Sequence, residues 1–193
     1  DPMSSLAITD AILFGCAAYL AFQRQIPIAY RLGFGLLALA ALLGAMKFSG
    51  IYPLETWHRL FTILGGSAAL PLLAICVIWP QSAVVNDRQF ALIFLGAAAI
   101  LGLAIAGLGK LRLYDQVLGA FSMLWILWLL IKQGEKRRIM GLSFMLLGSA
   151  LFLAKVQFSP WLVPGDFLHL GMAIGILLFA PKSHRPLIAQ HAE

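Results

Sequence analysis

Two copies of an acid-x-x-histidine pattern offer the clearest chemistry in this chain. One copy is Glu55 with His58, and the other is Asp166 with His169. On a helix, residues three positions apart share a face, so each carboxylate would lie beside its imidazole. Carboxylates and imidazoles bind divalent metals and transfer protons, and two such helices supply both groups twice. The pattern therefore predicts a metal site or a proton-handling site where the two helices meet.

The sequence around each copy is also repeated. A lysine ends the apolar segment before each copy, Lys47 in one case and Lys155 in the other, and a proline-containing loop follows. An aspartate, Asp10 or Asp115, begins the apolar run two segments upstream. The repetition predicts two structurally similar halves whose acids, lysines and histidines come together.

Composition places these residues in a membrane protein. With 61% hydrophobic and 11% charged residues and a mean hydropathy of +0.90, the chain has too few polar groups to cover a soluble globule. A span needs about 20 apolar residues and must be helical, because its backbone groups have to pair internally. Seven apolar segments meet this requirement: residues 6–22, 28–48, 57–79, 89–108, 113–132, 138–154 and 167–181.

These segments predict an all-α fold, a seven-transmembrane-helix bundle that forms one domain over residues 1–193. Short loops punctuated by proline leave no room for a soluble domain. In a seven-span chain the first three helices run in the same directions as the last three. The repeat therefore predicts a 3+1+3 arrangement of two parallel pseudo-repeats, at about residues 6–79 and 113–181, with a linker helix at about 89–108.

Lysine and arginine are distributed unevenly between the two ends of the predicted bundle. Because cytoplasmic loops are enriched in these residues, the richer end predicts a cytoplasmic C-terminus and an N-terminus outside, in a bacterial inner membrane. The net charge of +6 then reflects topology and contact with anionic lipids, and nucleic acid is not an expected partner. The richer end holds Arg24, Arg31, Arg88, Lys132, Lys136, Arg137, Arg138, Lys182 and Arg185, and the other holds Lys47, Arg59, Lys110, Arg112 and Lys155.

This topology brings the ionisable residues of both copies to one level, near the outer ends of their helices. Charged groups at membrane depth are costly, so they usually face a bundle interior or a wet cavity. A polar site that opens outward is the direct expectation. Its predicted members are Asp10, Lys47, Glu55, His58, Asp115, Lys155, Asp166 and His169.

The segment from Asp166 to His169, which follows a proline loop and opens the last span, resembles the start of the final helix in a known superfamily. This is the superfamily of alkaline ceramidases and adiponectin-receptor-like proteins. Its members are seven-helix membrane proteins, and many are zinc-dependent hydrolases of lipid amides. The resemblance extends to residues 47–50, which include Ser49.

The chain departs from the superfamily at two of its histidines, which are replaced here by Ala173 and Pro53. The resemblance then implies that zinc or another divalent metal is held by His58 and His169 with carboxylates. It also implies that metal-bound water attacks a lipid amide or ester, with Glu55 and Asp166 as catalytic carboxylates. The implied substrate-binding residues are Asp10, Lys47, Ser49, Asp115 and Lys155.

Other functions fit the same residues. In a transporter or receptor, the paired acids, lysines and histidines would bind a polar or zwitterionic small molecule, or relay protons, between the two halves. In a purely structural cluster the lysines would pair with the carboxylates, and two histidines could also serve as axial haem ligands. Membrane lipids are the common partners in all of these functions.

Gly171 and Gly175 form a small-xxx-small pattern in the last predicted span. Such a pattern lets two helix backbones approach closely. We expect close packing within the bundle. A homo-oligomer is the other use of this pattern.

Overall fold

A computed structural model describes residues 2–51, 53–80, 82–107, 111–157 and 159–181. The side chains of residues 2–4, 103, 106–107, 111–113 and 115–116 lie outside this description. Five predicted charged groups are therefore not described: Lys110, Lys182 and Arg185 altogether, and the side chains of Arg112 and Asp115.

The described residues form helices joined by short loops, with no strand among them, which confirms the predicted all-α class. Each predicted apolar segment lies on helix. The helices are α1 (Pro2–Phe22), α2 (Ile28–Phe48), α3 (Glu55–Leu64), α4 (Leu70–Ile78), α5 (Ala83–Asn86), α6 (Arg88–Gly107), α7 (Leu111–Gln133), α8 (Lys136–Leu153) and α9 (Pro164–Phe179), and a π-helical turn, Gly65–Ala69, joins α3 to α4.

Three stretches of the described chain are long and apolar enough to cross a bilayer, as judged by length and composition: Ser5–Phe22, Ile28–Phe48 and Glu55–Ile78. Shorter apolar helices lie at Arg88–Gly102, Val117–Gln133 and Pro164–Phe179. Large aliphatic and aromatic side chains are exposed along α1, α6 and α7. A surface of this kind is suited to lipid, so these features indicate a helical membrane protein.

Two closely packed helix pairs hold the cluster described below. α1 packs along α2, α8 packs along α9, and the two pairs meet through α1 and α9. α3 lies against the end of α2. Since α1, α3 and α9 begin at the end of the bundle where α2 and α8 finish, their first turns come together.

Glycine allows the close approach of α8 and α9. A Cβ added at Gly171 would lie 2.7 Å from the carbonyl oxygen of Phe144, and one added at Gly175 would lie 2.8 Å from that of Gly141. Real Cβ atoms do not approach carbonyl oxygens so closely. The small-xxx-small pattern thus packs two helices of the same chain, as the sequence predicts.

Replacing Gly175 with valine should lower the free energy of unfolding by about 2 kcal/mol, because the added side chain overpacks the α8–α9 contact. Gly96→Val is the matched control, since nothing lies within 4 Å of a Cβ at Gly96. Thermal unfolding of both variants in detergent measures the difference. Equal melting temperatures for the two variants would contradict the packing described here.

Arg138 is buried rather than part of a solvated loop cluster. It is 8% exposed, its Nε donates to the carbonyl of Phe179 at 3.0 Å, and its Nη2 donates to the hydroxyl of Tyr30 at 2.6 Å. Arg137 Nη2 donates to the carbonyl of Leu177 at 2.7 Å. The two arginines therefore satisfy carbonyl groups at the C-terminal end of α9, which otherwise have no helical partner.

Candidate functional site

A buried carboxylate connects α9 with α1. Asp166, in the first turn of α9, accepts hydrogen bonds from Ser5 Oγ and Thr9 Oγ1, each at 2.9 Å. Ser5 and Thr9 are one turn apart on α1, so both reach the same carboxylate. Asp166 also accepts from the backbone N–H of Val163 at 2.9 Å, which caps α9. The carboxylate of Asp166 therefore accepts three hydrogen bonds from the protein.

His169, one turn further along α9, is held at both ring nitrogens. Its Nδ1 lies 3.2 Å from Thr9 Oγ1, and its Nε2 lies 3.4 Å from Asp10 Oδ1. Asp10 is 2% exposed. Because Thr9 and Asp10 are neighbours on α1, their side chains approach the imidazole from adjacent positions. Asp10, an acid of the first predicted repeat, thus contacts His169, the histidine of the second predicted repeat.

The hydrogen bonds of Thr9 are linked to the positions of the protons on His169. A threonine hydroxyl has one proton, and its shortest contact is with Asp166. When Thr9 donates to Asp166, the Nδ1–H of His169 donates to Thr9, and when Thr9 donates to Nδ1, the ring proton lies on Nε2. In both cases Nε2 faces a carboxylate oxygen of Asp10. Two acceptors repel at this distance unless a proton lies between them, so the contact of Asp10 with His169 holds one proton.

The second carboxylate oxygen of Asp10 faces α2 and α3. Asp10 Oδ2 is buried and has no hydrogen-bond partner among the described residues. It lies against Gly44 of α2, and His58 Nε2 of α3 lies 3.0 Å from the position that a Cβ of Gly44 would take. Glycine is required here, because any side chain would collide with the carboxylate. His58 Nε2 also lies 3.4 Å from Thr62 Oγ1.

We call Asp10, His58, Asp166 and His169, with Ser5, Thr9, Gly44 and Thr62, the outer-end cluster, after the end of the bundle at which the sequence predicts such a site. It contains four of the ionisable residues that the repeated pattern predicts. His169 contacts the carboxylate of Asp10 directly, whereas His58 and Asp10 lie near the same point on α2, at Gly44, without a hydrogen bond or ion pair between them. α3 and α9, the two acid-x-x-histidine helices, are not among the helix pairs seen to pack together in the described part of the chain, so the prediction that they meet stays a prediction.

The other described members of the predicted site lie outside this cluster. Lys47 Nζ pairs with Glu55 Oε1 at 3.5 Å, and the side chain of Glu55 is 73% exposed. Ser49 is exposed and donates to the carbonyl of Ala45. Lys155 is exposed at the end of α8 and has a positive φ of 53°. Glu55, predicted as a catalytic carboxylate, thus faces outward, and Lys47 is its partner.

The predicted metal-ligand set is not assembled. Among the described side chains, no group of three His, Cys, Asp or Glu residues is placed to hold a metal ion. Asp166 is occupied by three donors of the protein, and Glu55 is exposed. His58 and His169 together with these two carboxylates therefore do not fit a metal in this arrangement.

Sequence patterns missed Ser5, Thr9 and Gly44. The signal for the first two was a pair of hydroxyls four residues apart beside an aspartate, at the start of an apolar helix. Hydroxyls in spans hydrogen-bond across helices, but they also bond to their own helix, as Thr9 does weakly with the carbonyl of Leu6 at 3.3 Å. The residue types alone do not distinguish these two uses.

A family model described as a family of unknown function, DUF6962, matches residues 5–183. The match includes every residue of the outer-end cluster. The chain belongs to DUF6962. No curated protein and no solved structure matches the chain. Membership of DUF6962 assigns no activity and does not test the resemblance to the ceramidase and adiponectin-receptor superfamily, which stays a prediction.

The π-helical turn in this DUF6962 chain separates a closely packed helix, α4, from a loosely packed one, α3. α4 buries most of its residues, whereas α3, which carries His58 and Thr62, has no buried residue among those described. Such a turn adds one residue to a helix and rotates what precedes it, and it is frequent at functional sites. The turn at Gly65–Ala69 therefore marks the point at which the packing of this helical stretch changes.

Replacing Thr9 with valine should lower the free energy of unfolding by about 2 kcal/mol, since the isosteric change leaves Asp166 Oδ1 and Nδ1 of His169 without their partner. Thr56→Val is the matched control, because Thr56 is exposed in the first turn of α3. Thermal unfolding of the two variants in detergent provides the comparison. A melting temperature of Thr9→Val equal to that of Thr56→Val would show that the bridge contributes nothing.

Proposed function

We propose that this protein is a proton-translocating carrier of a bacterial inner membrane, and that the outer-end cluster is its proton-binding site. One observation carries the proposal. Nε2 of His169 and Oδ1 of Asp10 are 3.4 Å apart in a geometry that requires a proton between them. Ionisable groups inside membrane helices are costly, and where they persist they commonly form proton relays.

The proposed relay runs from His169 through Asp10 to His58, so that an imidazole, a carboxylate and a second imidazole follow one another. The proton leaves Nε2 of His169 and bonds to Oδ1 of Asp10, so the ring becomes neutral as the carboxylate becomes a carboxylic acid. Oδ2 of the same carboxyl lies on the side of α2 and α3. The carboxylic acid rotates so that its O–H is on this side and then gives the proton to His58 Nε2 on the loosely packed α3, which returns Asp10 to the carboxylate. Because Asp10 Oδ2 makes no direct hydrogen bond to His58, a water molecule connects the two groups in this step. Thr9 and Asp166 hold the His169 ring in the orientation that this transfer needs.

The proposal includes the seven-span, 3+1+3 bundle with the N-terminus outside. It is supported by the position of the cluster at the end where α1, α3 and α9 begin. At the opposite end, Arg137 and Arg138 donate to carbonyl groups at the C-terminal end of α9. Lys132 on α7 and Lys136 on α8 lie at the same end. The lysine and arginine bias supports a position of the cluster toward the outer leaflet.

A metal-dependent lipid hydrolase is the second candidate. It rests on the resemblance of residues 166–169 to the ceramidase and adiponectin-receptor superfamily, since among the described side chains no three His, Cys, Asp or Glu residues are placed to hold a metal ion. Elemental analysis of the purified wild type, His58→Ala and His169→Ala tests it. Stoichiometric zinc or iron that both substitutions remove would support the hydrolase, and its absence from the wild type would count against it.

Proton flux into liposomes tests the carrier directly. Purified protein is reconstituted in liposomes that hold a pH-sensitive dye, and a potassium gradient with valinomycin imposes an inside-negative potential. We expect internal acidification faster than in empty liposomes and than in liposomes with His169→Gln, whose side chain does not take up a proton. Equal rates in all three preparations would overturn the proposal.

A further inference from the structure

We propose that Asp10, His58 and Thr62 form a binding site for the ammonium group of a small primary amine, which is the cargo of the carrier. This inference rests on the proposed function and names its substrate class. Its starting point is an unpartnered, buried carboxylate oxygen. Asp10 is 2% exposed, and its Oδ2 has no hydrogen-bond partner among the described residues. A buried acceptor without a partner costs free energy, which a donating ligand would recover.

The charge of the cluster favours a cation over a neutral donor. Asp10 and Asp166 are both buried, and one shared proton leaves the pair with net negative charge. The nearest described cation on α2, Lys47, is already 3.5 Å from Glu55. A buried negative charge is stabilised by a positive ligand brought close to it.

The acceptors also suit an ammonium group, which has three N–H donors. Asp10 Oδ2 and His58 Nε2 converge on Gly44, and Thr62 Oγ1 lies 3.4 Å from His58 Nε2. The hydroxyl of Thr62 donates to the carbonyl of His58 at 2.8 Å, so its oxygen retains lone pairs for a ligand. With the Nδ1-protonated tautomer of His58, these three atoms accept the three donors of one ammonium group.

Gly44 and α3 determine the access of the ligand to this site. A Cβ at Gly44 would meet both Asp10 and His58, so a side chain at this position would occupy the point where the two groups converge and would exclude a ligand from it. α3 carries His58 and Thr62 and has no buried residue among those described. Its ring neighbour Phe48, whose centroid is 5.7 Å from that of His58, offers an apolar surface to a short alkyl group.

Calorimetric titration of the full-length protein in phosphatidylcholine nanodiscs tests the inference, with methylammonium as the probe. We expect methylammonium to bind and tetramethylammonium, which has the charge but no N–H donor, to bind at least about tenfold more weakly. Gly44→Ala should weaken methylammonium binding by about tenfold or more. Gly35→Ala on the same helix is the matched control, because a Cβ there meets only Ala21 at 3.9 Å.

Equal binding of the two cations, or unchanged binding in Gly44→Ala, would overturn the inference. Should Gly44→Ala fail to fold, Asp10→Asn replaces it, with the same loss of methylammonium binding expected. Absence of methylammonium binding together with proton flux in liposomes would reject the amine site alone. Absence of both binding and flux would reject the carrier as well.

Discussion

Asp10→Asn should reduce proton flux into liposomes by about 100-fold, the scale expected when a positioned proton-transfer group is lost. Asparagine has nearly the shape of aspartate, but it does not carry a proton between two neighbours. Its amide nitrogen would donate to His169 Nε2 and stop the transfer at that point. The dye-loaded liposomes described above measure the effect.

Asp87→Asn is the matched control for this prediction. Asp87 lies just before α6, and its Oδ1 accepts from the N–H groups of Gln89 and Phe90, a role that the oxygen of asparagine also fills. We expect flux within about twofold of the wild type in this variant. Wild-type flux in a correctly folded Asp10→Asn variant would remove Asp10 from the relay.

Asp166→Ala should lower the free energy of unfolding by about 4 kcal/mol, the scale of breaking a buried, hydrogen-bonded charge. The substitution removes the carboxylate that accepts from Ser5, from the buried Thr9 and from the N–H of Val163. It also removes one of the side-chain links between α1 and α9, which the contacts of His169 with Thr9 and Asp10 also join. Thermal unfolding in detergent measures the effect.

Asp87→Ala provides the comparison for this stability effect, because Asp87 is exposed and its side chain also accepts a hydrogen bond from a backbone N–H at the start of a helix. The loss of an exposed cap costs about 1 kcal/mol. We therefore expect the melting temperature of Asp166→Ala to fall well below that of Asp87→Ala. Similar melting temperatures would mean that Asp166 is only a helix cap.

The helices and the end at which the cluster lies follow from the sequence because they depend on hydrophobicity. An apolar run of span length must pair its backbone internally, which fixes helices and places loops between them. The acids at the starts of α1 and α9 then have to meet at one end. This explains why Asp10, His58, Asp166 and His169 were predicted to lie together.

The contrast between Glu55 and Asp166 does not follow from the pattern. Both are acids three residues before a histidine, yet Asp166 is buried and Glu55 is exposed. The difference arises from packing. α9 begins against α1, whose Ser5 and Thr9 supply donors, whereas α3 begins at the edge of the bundle. Local spacing contains no information about which neighbouring helix covers a given face.

The burial of Arg138 is a second feature that local sequence spacing does not predict. In sequence it belongs to a run of three positive charges, which is typical of a solvated cytoplasmic loop. In the structure its guanidinium lies 4.8 Å from the ring of Phe179 and 5.7 Å from that of Tyr30. Arginine is suited to such a position, because its planar group stacks on rings while its N–H groups donate in the plane.

The ¹⁵N NMR spectrum of His169 in the purified protein, assigned with His169→Gln, tests the shared proton most directly. We expect a protonated Nδ1 in the wild type, and an Nε2 resonance that shifts in Asp10→Asn while Nδ1 stays protonated. An Nε2 resonance that Asp10→Asn leaves unchanged would contradict a proton held between Asp10 and His169.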